Sequence, residues 1–95
     1  MPEMRFLIRW PDGAPESCYS PSLVVKDHMA PGESYPLDDF LARARTALTI
    51  ASARVEAKYG RPCGLALGQL ARIEAKAAGF ADAPDPRVAV DAFED

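Results

Sequence analysis

Apolar residues recur at helical spacing between Asp38 and Tyr59: Phe40, Ala44, Leu48, Ala51, Val55 and Tyr59 step by three or four positions and line one stripe of an α-helix. Leu41 and Ala47 widen the stripe, while Arg45, Thr49, Ser52 and Glu56 fall largely outside it. Asp38 stands where an N-cap is wanted, Asp39 adds favourable charge to the first turn, Lys58 lies in the last turn, and Gly60 supplies a left-handed stop. A second helix is predicted over Gly64 to Ala78, with Ala66, Leu70, Ile73, Ala77 and Phe80 as its seam and Gly79 ending it. The connector Arg61-Pro62 is short, so the two helices are expected to fold back on each other as an antiparallel pair.

The N-terminal segment has a different period. Met4, Phe6, Ile8 and Trp10 alternate with Arg5, Leu7 and Arg9, the pattern of a half-buried strand. Pro11-Asp12-Gly13 is a turn, and Glu16 to Tyr19 reads as the returning strand of a hairpin. Two strands alone are marginal in water, so the hairpin needs a helix behind it. Ser20-Pro21 resembles an N-cap followed by proline at the first helical position, which favours a short helix over Ser22 to Met29. Leu23-Val24-Val25 is equally strand-like, and the alternative stays open. Pro36 pushes Tyr35 out of the helical region, so Glu33 to Leu37 is expected to be extended, a possible third strand beside the hairpin. The expected fold is α+β: a two- or three-stranded antiparallel sheet packed on the helix pair, with a short bridging helix.

With 95 residues the chain has room for one core. Residues 1–80 are expected to form that single domain. Residues 81–95 read as an acidic, proline-containing, flexible tail, because ADAPDPR carries no core residue and the last fifteen positions hold five acids against Arg87 alone. Val88, Val90 and Phe93 within it are apolar, so a second reading is a short segment that orders against a groove or a sheet edge. Up to Phe80 ten basic residues face nine acidic ones, and Arg43, Arg45 and Arg54 make no concentrated basic face, so nucleic acid is not an expected partner. Apolar runs are only a few residues long and MPEMRFLIRW lacks the plan of a signal peptide, so neither a membrane span nor secretion is expected and the default address is cytoplasmic.

Few residues point to chemistry. Cys63 lies near the start of the second helix, two positions after Arg61, a setting that stabilises a thiolate, yet catalysis needs a general base and His28 is the only histidine. Cys18, His28 and Cys63, with Asp27 as a fourth ligand, would have to converge to hold a metal, and their spacings match no familiar site. Asp38-Asp39 is explained more simply by a helix start than by acid–base work. No glycine loop cradles a phosphate, and no cofactor is expected. Trp10, Tyr19, Tyr35, Val88, Val90 and Phe93 are the residues with the character of partner anchors, although Trp10 also suits a core lid. A pocket between hairpin and helix pair is a further place for a compact nitrogenous ligand.

The strings RWPDG, CYSPSLVVKD, GESYPLDDF and RTALTIASARVEAKYG, with Cys63 just after the last, resemble the small bacterial nitrogen starvation response proteins encoded beside a nitrilase. The resemblance covers residues 3–80 and leaves out the acidic tail. It implies no defined catalytic residues. It does imply a gene neighbourhood containing a nitrilase, a radical S-adenosylmethionine protein, an acetyltransferase and a flavoprotein, linked to nitrogen limitation and to nitriles or cyanide as a nitrogen source. In that company a chain of this size is expected to be an accessory protein that binds one of these enzymes, or itself as a homodimer. The alternative is a thiol- or metal-based enzyme or small-molecule sensor using Cys18, Cys63 and His28.

Overall fold

The computed structural model describes residues 2–95. Six-residue strands β1 (Met4–Arg9) and β2 (Pro15–Ser20) form the expected hairpin in continuous register from Met4–Ser20 to Arg9–Pro15. Its turn is closed by hydrogen bonds between Trp10 and both Gly13 and Ala14, with Gly13 at φ 87°, a conformation glycine adopts without penalty. Leu23–Asp27 is a 3-10 turn, so the segment is helical rather than extended, and its N-cap is Ser22, whose hydroxyl accepts from the Val24 N–H, not Ser20. Strand β3 (Ser34–Pro36) leads directly into helix α1 (Leu37–Tyr59), which a short connector joins to helix α2 (Gly64–Ala78). The chain ends in an eight-residue strand, β4 (Arg87–Glu94).

The fold is therefore α+β, with a four-stranded antiparallel sheet in the order β2-β1-β4-β3 and both helices against it. Met4, Phe6, Ile8 and Cys18 of the hairpin and Val88 and Val90 of β4 share one core with Phe40, Ala44, Ala47 and Leu48 of α1 and Ile73 and Ala77 of α2. Trp10 closes one end, edge-on to Phe40 at 6.1 Å and stacked with Phe80 at 5.9 Å between ring centroids. Its indole N–H donates to Glu16 Oε1 at 2.8 Å.

Residues 81–95 depart most from the expectation of a flexible tail. β4 lies between β1 and β3, so the extended segment beside the hairpin is separated from it by the C-terminal strand. Val88 and Val90 point inward while Arg87 and Asp91 face water. A register shift between Leu7 and Ile8 leaves Asp91 without an opposite residue and brings Phe93 across from Phe6. The acids that gave the segment its tail-like composition meet the basic residues of the body, Asp91 pairing with Arg9 at 3.1 Å and Asp95 with Lys26. The linker before β4 also starts α1: the Leu37 N–H donates to the Pro86 carbonyl at 2.9 Å. Asp38 is consequently inside the first turn rather than its cap, and Pro36 takes the N-cap place.

Helix α1 is longer than the sheet it covers. Twenty-three residues at about 1.5 Å each outrun six-residue strands at about 3.3 Å each. The stripe is buried from Phe40 to Ala51, half-buried at Val55 and open at Tyr59, and every residue from Glu56 to Pro62 is exposed. Gly60 ends the helix in the left-handed conformation as expected, at φ 86°.

Two outcomes test this architecture. Phe40→Ala is expected to cost about 3–5 kcal/mol in urea unfolding, against less than about 0.5 kcal/mol for Tyr59→Ala at the exposed end of the same stripe. A chain stopped at Ala81 is expected to lose its cooperative thermal transition by circular dichroism; an unchanged transition would make β4 dispensable.

Candidate functional site

The thiol and histidine constellation is not assembled. Cys18 lies on the inner face of β2, fully buried, and burial together with the neighbouring Glu16 carboxylate pushes its thiol up to about 12. Its S–H is 3.9 Å from Glu16 Oε2. Cys63 is half-buried just before α2, where its backbone N–H donates to Ser52 Oγ at 3.1 Å. His28 closes the 3-10 turn, and its carbonyl accepts from Arg43 Nη1 at 2.7 Å. Asp27 beside it is exposed. Both cysteines are free, and among the described residues no three His, Cys, Asp or Glu side chains group as metal ligands.

The six expected partner anchors divide. Trp10, Val88 and Val90 are core residues with no surface left for a partner, and Phe93 packs against the same core. Tyr35 is half-buried: the Arg43 guanidinium sits 4.3 Å from its ring centroid, and its hydroxyl accepts from the Ala30 N–H at 3.0 Å. That leaves Tyr19, half-buried on the outer side of β2, with its hydroxyl donating to Glu3 Oε2 at 3.0 Å. Partial burial and this bond push the phenol up to about 12.

Tyr19 lines three open cavities, two of which it shares with the helix pair. One, of about 210 Å³, is lined by Glu3, Pro21, Val55, Tyr59 and Cys63 as well. The other, of about 280 Å³, is formed with Arg5, Glu16, Ser17, Leu65, Gln69 and Arg72. Tyr59 and Leu65 are 61% and 69% exposed, the most open of the large hydrophobic residues described, and both lie at this end of the helix pair.

Gln69 and Arg72 drew no attention in the sequence. Gln69 occupies a seam position of α2, three residues after Ala66 and four before Ile73, where an apolar side chain is the rule. A polar residue on a buried stripe was the available signal. Its Oε1 accepts from the Tyr19 N–H at 3.0 Å and from Arg72 Nη2 at 3.2 Å, so α2 covers the outer edge of β2 that would otherwise invite another strand. Its Nε2 is buried and has no partner among the described residues.

A family model described as nitrogen starvation-induced protein NitG matches residues 5–93. No curated protein and no solved structure gives a significant match.

The two thiols are expected to behave differently. In native protein Cys63 reacts with a chromogenic disulfide, while Cys18 reacts only on unfolding; the Cys63→Ser variant would lose the native signal. Because the folded Cys18 thiol is held above its unfolded value of about 8.5, its contribution is complete below that pH and is lost as pH rises towards about 12. Urea midpoints should therefore fall above about pH 8.5, less steeply in Cys18→Ala.

Proposed function

As the chain belongs to the family of nitrogen starvation-induced NitG proteins, we propose that it is a non-catalytic accessory protein of the nitrogen starvation response that acts by binding a partner enzyme. The supporting observation is that exposed Tyr59 and exposed Leu65 each line a cavity shared with half-buried Tyr19. Two large apolar side chains left open on either side of a tyrosine suit a docking surface. The chemistry of the thiols points the same way. A protonated, buried Cys18 and a Cys63 with no histidine beside it give a nucleophile no base, which leaves the thiol- or metal-based reading without a constellation.

The partner class follows from the resemblance described above: an enzyme of a nitrilase-associated pathway for nitriles or cyanide, meaning the nitrilase, the radical S-adenosylmethionine protein, the acetyltransferase or the flavoprotein. Among the described residues no helix is long and apolar enough to cross a membrane.

Co-expression with each neighbouring gene product, followed by size-exclusion chromatography with light scattering, tests the proposal. One stable complex is expected, weakened at least about tenfold by Leu65→Lys or Tyr59→Glu with stability within about 0.5 kcal/mol of the parent. A protein that captures none of them, assembles only with itself, or binds equally well in both variants contradicts it.

A further inference from the structure

We infer that the cavity between the outer edge of β2 and helix α2 is a binding site for a small carboxylate. Its volume is about 280 Å³. That is roughly nine water volumes at about 30 Å³ each, room for a short-chain organic acid.

The unmet groups in the lining are donors. Arg5 Nη1 donates to Ser17 Oγ at 3.3 Å and Arg72 Nη2 to Gln69 Oε1 at 3.2 Å, and neither guanidinium belongs to an ion pair among the described residues. A guanidinium has five N–H groups, so each keeps donors in hand. Glu16, the acid in the lining, is already engaged: one oxygen accepts from the Trp10 indole N–H and the other from the Cys18 thiol.

Gln69 adds a donor that the fold leaves unsatisfied. The side chain is 2% exposed. Its orientation is settled by its partners, because turning the amide over would set its NH2 against the N–H of Tyr19 and the guanidinium of Arg72. Oε1 thus accepts twice and Nε2 has nothing to bond to. Nε2 is shut off from solvent, so an acceptor in the cavity meets it through a shift of the Gln69 side chain, and the two guanidinium groups are the donors that face the ligand first.

An anion with planar, paired acceptor oxygens meets these conditions, since the guanidinium fork and a carboxylate match in two parallel hydrogen bonds. Two guanidinium groups against one carboxylate leave a single net positive charge, suited to one carboxylate rather than a doubly charged phosphate. Leu65, on the rim, offers an apolar wall to the carbon skeleton. The cavity shares Tyr19 and Leu65 with the proposed docking surface, but the carboxylate site does not rest on that reading.

The test is titration of the isotope-labelled full chain with acetate, propionate and succinate at constant ionic strength, followed by amide NMR. Sodium chloride and propionamide serve as controls. A saturable shift is expected at the Gln69 side-chain NH2 and at the Ser17 and Tyr19 amides, with a dissociation constant on the order of 1 mM for at least one acid. Arg72→Gln is expected to weaken it at least about tenfold, and Lys76→Gln, a cation of the same helix outside the cavity lining, to leave it unchanged. The same spectra report whether each variant is folded, and Arg5→Gln replaces Arg72→Gln if that variant is not. No saturable response to any acid, an equal response to chloride or propionamide, or unchanged affinity in the folded arginine variant would overturn the assignment.

Discussion

Strand β1 has two edges, and both must be closed, because Phe6 and Ile8 hold it beneath α1 where its unpaired backbone groups have no water. The hairpin closes one edge with β2. The other is closed by β4, more than seventy residues later in the chain, which then carries β3 on its far side. Pro86 accepts from the first amide of α1, and Asp91 and Asp95 neutralise Arg9 and Lys26. The position of α1 over the sheet therefore depends on the return of the C-terminus. Because β1 and β4 are so distant in sequence, their pairing costs the most loop entropy of any contact in the fold.

The remaining sheet edges are managed separately. β3 is only three residues long and ends at Pro36, which has no N–H to offer another strand. β2 begins at Pro15 and has its Tyr19 amide taken by Gln69. With both edges blunted, the surfaces that stay open include the overhanging end of the helix pair and the cavity beside β2. Both adjoin Tyr19. Membership of the NitG family attaches the fold to nitrogen starvation, while the pattern of exposed apolar groups and unmet donors describes what this end of the molecule offers a partner or ligand.

Periodicity made the helices and hairpin legible, because each has several residues repeating at one spacing against a single core. Leu48 and Ile73 could be assigned to the core without any knowledge of the sheet. The position of β4 was hidden for two reasons. Val88 and Val90 give only two inward positions before the register shifts at Asp91, and the acids around them look like a solvated tail until Arg9 and Lys26 are seen opposite. The end of the stripe at Tyr59 was equally invisible, since helical spacing continues past the point where the strands below it stop. Of the anchors expected from residue type, Tyr19 holds a surface position, whereas Trp10 is consumed by Phe40 and Phe80. Gln69 shows the complementary case: one polar residue on a buried seam marks a contact that composition does not reveal.

Native-state hydrogen exchange on β4 tests the account most directly. With the last strand in the middle of the sheet, the Ala89 amide, which faces β1 opposite Arg9 while that of Val90 is bonded to Glu33 on the β3 side, should exchange as slowly as the most protected amides of β1, through global unfolding alone. Exchange at the rate of an unstructured terminus, with β1 still protected, would contradict it.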